Sequence, residues 1–435
     1  MLTIYNILML AAVGIGWPMA LPVILVSEKR RKTVPYRVGI VPPPGAGSGF
    51  RGGRHRKSIW VHALSVGEVL SALPLLQALR QRYDRHKVML SVSTLTGYEL
   101  ARTRVAALAD TVFFSPYDIP FVIRRITDAV DPALMVVVET DIWPNTVHHM
   151  FQRRIPMVLA NARLSPRTFS GYRRLRCIME PTLGRFSRIC TQSDEETDRF
   201  HQLGVDRHRL IATGNFKFDQ MAHPFPREDV AALANRLGIS EGAPILVAGS
   251  THKGEEAILA DAYRGIRDAF PDVRLIVAPR DPRRSASVSH LFSSAGFSCR
   301  RSSDPGMQTP DVRADVVIID VIGVLRALYR LSAISFVGGS LVPEGGHNPL
   351  EPAECGRPVL FGPHMTDFPD IARKLLDGGG AREVRSAEDI RNEVIRLMGT
   401  PEEAAALGER AYGICRANKG AVARTLTVIE ELLTP

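Results

Sequence analysis

The chain has 435 residues, 45% of them hydrophobic and 23% charged, and a formal net charge of +10. Its length suits two domains of about 150–200 residues, with apolar material for two cores, rather than one. So basic a chain would suit a nucleic-acid partner, but the location of the charge excludes one: Lys29, Arg30, Arg31, Lys32, Arg37, Arg51, Arg54, Arg56 and Lys57 are opposed only by Glu28 within residues 28–57, and the rest is close to neutral.

The basic cluster follows an apolar segment. Leu2 to Val26 holds no Asp, Glu, Lys or Arg. As a helix it would span about 37 Å, enough for a bilayer core of about 30 Å with tilt. Pro18 and Pro22 leave a kinked or shallow insertion open. A cleaved signal peptide is the competing reading, but it needs a basic start, and here the basic residues come after the apolar run. Residues 1–27 are therefore expected to be an uncleaved membrane anchor, and the positive-inside rule keeps the remainder in the cytoplasm. Residues 28–57, rich in Arg, Pro and Gly, read as a basic flexible linker beside anionic lipid.

From Ser58 onward, short apolar runs alternate with helical patterns. Ile59–Ala63, Val88–Val92, Leu134–Val138, Ile155–Ala160 and Arg188–Gln192 read as strands, with helices through Val69–Arg80, from about Tyr98 and near Asn145. The rhythm breaks at Ala222–Pro226 and restarts with strands at Ile245–Ala248, Arg274–Ala278, Val316–Ile319, Ile334–Val337 and Val359–Phe361. Pro401–Leu433 reads as closing helices. This is the α/β pattern of two doubly wound, mainly parallel sheets, predicted at residues 58–221 and 227–435. Ligands of such sheets bind at the carboxyl ends of the strands.

Several polar stretches fall at those ends. Glu68, in Ser65-Val66-Gly67-Glu68, is either a functional carboxylate or an acid complementing a helix dipole. Glu139 and Asp141 follow the Leu134–Val138 run; Asp141 could equally cap the next helix. Lys217, between Phe216 and Phe218, is either a solvated lysine or a cation facing a phosphate or carboxylate. In the second half, Gly249–Glu256, Pro279-Arg280 and the stretch Gly338–Glu351 follow strands. The last has two Gly pairs before a predicted helix start near Asn348, which favours anion binding by backbone N–H groups over a simple capped turn. Glu351 could accept from ribose hydroxyls. The five cysteines have no metal-ligand spacing, and no motif calls for a metal or cofactor.

Six stretches, WVHALSVGE, ETDIWPN, NARLS, GNFKFD, GSTHKGEE and FVGGSLVPEGGHNPLEPA, together resemble the 3-deoxy-D-manno-octulosonic acid (Kdo) transferases of lipopolysaccharide biosynthesis. The resemblance covers nearly the whole chain. It implies a GT-B fold of two Rossmann-like domains with an N-terminal anchor in the inner membrane. It also implies transfer of Kdo from CMP-Kdo to a lipid A precursor. By that resemblance Glu68 is the general base, Glu139 and Lys217 stabilise the transition state, and CMP is held by Pro279, Arg280, Ile322, Gly323, Val324, Asn348, Pro349, Leu350 and Glu351. Two positions depart from the family pattern: Asp281 stands where His is usual, and Val324 where Glu is frequent. A transferase using a UDP-sugar, or a tethered nucleotide-sugar binding protein without turnover, remains an alternative at this point.

Overall fold

The computed structural model describes residues 26–44, 56–220, 227–239, 242–304 and 314–433, and before them positions 2, 3, 5–7, 9, 11, 14 and 22. Two units result. One comprises Met1–Met221 with Asn418–Pro435, the other Ala222–Ala417.

In the first unit the apolar runs form parallel strands covered on both faces. Ile59, Val61, Leu134, Val136 and Val138 enter one core, and Trp60, Met135 and Val137 enter the other. Successive side chains of a strand point to opposite faces, so a strand buried on both reads as a continuous apolar run. The strands are β1 (Ser58–Ala63), β2 (Lys87–Val92), β3 (Thr111–Phe114), β4 (Pro132–Val138), β5 (Met157–Ala162), β6 (Arg188–Thr191) and β7 (Leu210–Ala212). Their order is β3-β2-β1-β4-β5-β6-β7, and every pairing is parallel.

The second unit repeats the plan with β8 (Ile245–Thr251), β9 (Arg274–Pro279), β10 (Cys299–Arg301), β11 (Val316–Ile318), β12 (Ile334–Val337), β13 (Val359–Phe361) and β14 (Ala381–Glu383). The order is β10-β11-β9-β8-β12-β13-β14, again parallel throughout. Leu246, Leu275 and Phe336 pack on one face; Ile245, Val247 and Ile276 pack on the other. Truncating a wholly buried member such as Leu275 to Ala would cost about 2–5 kcal/mol.

Two expectations change. Residues 28–57 are not linker throughout: Glu28–Arg37 is a helix. It carries a Glu28–Lys32 pair one turn apart and is tied down at its end, where Arg37 Nε donates to the Ser115 carbonyl at 3.0 Å and its guanidinium stacks 4.2 Å from the Tyr117 ring. Residues 45–55 of the expected linker lie outside the described residues, as does the break at Ala222–Pro226. The predicted second domain, 227–435, runs too far. The helix Pro401–Ala417 belongs to the second unit, but Ala421–Leu433 packs on the first, where Ala421, Val422, Val428 and Ile429 join its core. Asp219 fixes the return by accepting from Gly420 N and Val422 N, both at 2.7 Å. As for the anchor, no helix among the described residues is long and apolar enough to cross a membrane, and most of residues 1–27 lies outside them.

Candidate active site

In the first unit the strand order reverses between β1 and β4, and polar side chains gather at the carboxyl ends of that pair, where doubly wound sheets bind their ligands. From β1 the chain turns through Ser65 into the helix Val66–Arg82. Glu68 occupies the third position of that helix, half-buried. Its carboxylate accepts from the Ser65 N–H at 3.0 Å and from the Ser65 hydroxyl. The capping role is therefore real, and it holds the carboxylate at the strand ends.

Glu139 directly follows β4 with φ at +64°. That left-handed conformation is costly for a residue with a side chain and is found most at functional sites. Burial raises the Glu139 carboxyl above its ordinary range and the Glu68 charge raises it further. Lys217, Arg163 and a hydrogen bond from Ser71 act in the opposite direction. Glu68, Glu139 and Lys217 are thus brought to one place, with Arg163 and Ser71 beside them. Neither of the last two was singled out in the sequence, although Arg163 lies within NARLS and Ser71 stands one helical turn after Glu68.

Lys217 sits in the short 3₁₀ turn Phe216–Asp219. Phe216 and Phe218, 0% and 2% exposed, anchor the turn in the core, and the Asn215 side chain accepts from Lys217 N at 2.9 Å. The aromatic neighbours therefore fix the backbone that carries the lysine.

Asp141 does not cap the helix Pro144–Gln152. The N–H groups of Asn145 and Thr146 donate instead to Asp118, at 2.9 and 2.8 Å. Asp141 pairs with His62 Nε2 at 2.8 Å. Burial would raise its carboxyl, but the hydrogen bonds from His62, Trp143 and Ser93 hold it below the usual carboxylate range.

The corresponding reversal in the second unit lies between β8 and β12. Gly338, at the end of β12, runs so close to β8 that a Cβ there would stand 2.5 Å from the Ser250 carbonyl oxygen. The following loop does not present its first N–H groups to a ligand. Gly339 N, Ser340 N and Leu341 N donate to the wholly buried carboxylate of Glu255 at 2.7, 3.0 and 2.9 Å. The expected helix start is also short, Leu350–Ala353 only. The anion-binding reading of this stretch thus fails for residues 339–341, whose donors an internal acid already satisfies.

Side chains around Arg280 remain. Arg280 is exposed at the end of β9, with its N–H donating to Thr251 O at 3.0 Å. Burial, Arg280 and His252 together depress the His347 imidazole to about 4. Burial raises the Glu351 carboxyl, opposed by Arg326 and Arg280. Arg280, His347 and Glu351 are therefore neighbours, and His252 Nε2 stands 2.8 Å from His347 Nε2. The two histidines and Arg326 were not predicted. Asn348 is half-buried and accepts from Leu350 N at 3.1 Å, whereas Pro279, Pro349 and Leu350 are buried framework. Ile322 and Gly323 are exposed beyond β11, and Val324 begins the helix Leu325–Leu331. Asp281 accepts from Arg283 Nε and Nη2 at 2.9 Å each, so its charge is matched locally.

Two seven-stranded parallel units, each with a polar cluster at the reversal of its strand order, define the GT-B type of α/β protein. A family model for 3-deoxy-D-manno-octulosonic-acid transferase (kdotransferase) matches residues 32–220. The chain is 36% identical over 381 residues to the 3-deoxy-D-manno-octulosonic acid transferase of Haemophilus influenzae, covering 87% of each. It is 31% identical to the enzyme of the same description from Bordetella pertussis, covering 86% of this chain and 87% of that one. The structure of UDP-GlcNAc 2-epimerase from Neisseria meningitidis aligns with a TM-score of 0.60 at 16% identity, covering 86% of this chain and all of the other, a likeness of fold alone. The chain belongs to the 3-deoxy-D-manno-octulosonic acid transferase family and is a glycosyltransferase.

Proposed function

We propose that the enzyme is an inverting transferase that moves Kdo from CMP-Kdo to a lipid A precursor of the lipid IVA type, a step of lipopolysaccharide core assembly. Glu68 takes the proton of the acceptor hydroxyl as that oxygen attacks the anomeric carbon from the face opposite CMP, which leaves with the bonding electron pair. Lys217, Glu139 and the neighbouring Arg163 set the field in which charge redistributes in the transition state. The second unit holds CMP through Arg280, Asn348, Glu351 and the backbone of Ile322, Gly323 and Val324. Membership of the family supports the sugar transferred. The observation that carries the mechanism is the convergence of Glu68, Glu139 and Lys217 at the strand ends of one unit.

The proposed location is the inner membrane, with residues 1–27 as a single anchor and both units in the cytoplasm. The uncharged run from Leu2 to Val26 and the basic residues after it support this reading. The function is tested by incubating the enzyme with CMP-Kdo and a tetraacyl lipid A precursor and reading the lipid by mass spectrometry. Addition of Kdo residues is expected. An unchanged lipid beside hydrolysed or intact CMP-Kdo would refute the acceptor.

A further inference from the structure

The strand β5 breaks its register with β6 between Leu159 and Ala162. Within that irregularity Asn161 adopts φ +55° and is wholly buried. A bulge near the end of a strand re-aims a side chain, and asparagine tolerates the left-handed region better than most residues. The amide so aimed has two partners in the site. Its Oδ1 accepts from Phe216 N at 3.0 Å, at the start of the turn that carries Lys217. Its Nδ2 donates to Ser71 Oγ at 3.4 Å, and Ser71 is the neighbouring side chain that draws the Glu139 carboxyl down. Ser71 lies on the same helix as Glu68, one turn on.

The backbone at this point joins in. Asn161 O accepts from Gln192 Nε2 at 3.0 Å. Gln192 Oε1 then accepts from Asn215 Nδ2 at 2.9 Å, and Asn215 is the residue whose side chain holds Lys217 N. Glu139 N donates to Ala160 O at 2.9 Å, one residue before Asn161. Ser71, Asn161, Gln192 and Asn215 are all buried, so the network is worth more than isolated surface contacts and costly to leave half-made.

We propose that Asn161 is a positioning residue for the transfer, a single amide that holds Glu139 and the Glu68 helix, through Ser71, in register with the Lys217 turn. This rests on the site reading above, which gives Glu139 and Lys217 their roles.

The test compares Asn161→Gly, Ser71→Ala, Glu139→Gln and Lys217→Met in the full-length enzyme, with CMP-Kdo and the lipid A precursor as substrates. Glycine suits φ +55° and removes only the side chain, so a purely backbone role predicts near-parental turnover. Asn161→Gly is expected to lower kcat by about tenfold or more, because small misplacements of reacting groups are expensive, while CMP affinity stays near the parental value. Ser71→Ala keeps the Phe216 bond and removes the hydroxyl that lowers the Glu139 carboxyl, whose charged neighbours are Glu68, Lys217 and Arg163. The acid limb of its kcat profile is therefore expected to move to higher pH. Loss of turnover in Glu139→Gln and Lys217→Met, with kcat within threefold of the parent in Asn161→Gly and an unmoved limb in Ser71→Ala, overturns the inference alone. Retained turnover in Glu139→Gln and Lys217→Met overturns the site reading and the inference with it.

Discussion

His62 Nε2 stands 2.8 Å from Asp141 Oδ2, which makes β1 and the loop after β4 one hydrogen-bonded piece. A carboxylate only accepts, so Nε2 carries the proton. The Trp60 indole only donates, and it reaches Ser91 Oγ at 2.8 Å. The Ser91 hydroxyl is then free to donate to His62 Nδ1, also at 2.8 Å. Every member of this buried chain has a hydrogen-bond partner, and the loop that carries Glu139 is fixed two residues past it.

Asp141→Ala should destabilise the protein by about 1.5–3 kcal/mol near neutral pH, the range for hydrogen bonds to a charged group. The folded carboxyl titrates below its unfolded value, so its contribution is present above the ordinary carboxylate range and disappears as pH falls through the depressed value. Urea midpoints of parent and variant should accordingly converge in acid. A gap that persists unchanged in acid would mean that the ionised form is not what stabilises.

Glu139 gives the opposite sign. Its folded carboxyl titrates above the unfolded value, so the parent loses stability as pH rises through the raised value, whereas Glu139→Gln does not titrate. Melting temperatures should favour the variant at alkaline pH and draw together as pH falls below the ordinary carboxylate range. Turnover should fall in the same variant. Equal melting curves at all pH values would remove the desolvated carboxylate from the account.

Much of this was legible in the residues, and the exceptions share physical causes. Ten strands were predicted, and the four missed, β3, β7, β10 and β14, are the four edges of the two sheets. Edge strands are short and partly solvated, so they lack the continuous apolar run that marks a strand buried on both faces. Glu68, Glu139 and Lys217 were visible because acids and cations following apolar runs fall at strand ends. Asn161 was not, because its role depends on a bulge and a positive φ that NARLS does not announce. The anion reading of residues 339–341 failed because Glu255, 84 residues earlier than Gly339, fills their donors. No local pattern reveals such a partner.

Asp219 offers a test of how the chain closes. It holds the start of the helix Ala421–Leu433 through two backbone N–H groups. Asp219→Ala should cost about 0.5–2 kcal/mol, as losing a helix cap does. Ending the chain at Ala417 should cost far more, because buried Ala421 and Ile429 leave the first core. Hydrogen exchange should show the loss in the strands of the first unit and spare those of the second. Uniform loss across both units would contradict the division.

Asp281, which departs from the family pattern, is matched by Arg283. Its charge is exposed and locally paired, and such groups contribute little to stability or binding. Asp281→His is therefore expected to leave CMP affinity within about threefold of the parent by calorimetric titration. A loss beyond tenfold would place Asp281 in direct service of the nucleotide.

Glu68 carries the central claim. The structure shows it capping its helix and standing beside Glu139 at once, so the two roles must be separated by measurement. Glu68→Gln keeps the size of the side chain and an acceptor for the Ser65 N–H, but it cannot take a proton near neutral pH. A general base contributes about 10²–10⁴-fold, so turnover with CMP-Kdo and the lipid A precursor should fall by that order. CMP affinity should stay near the parental value, and any stability loss should stay within about 1 kcal/mol. Turnover within threefold of the parent, with the melting transition lowered instead, would show that Glu68 caps the helix and does not act on the acceptor.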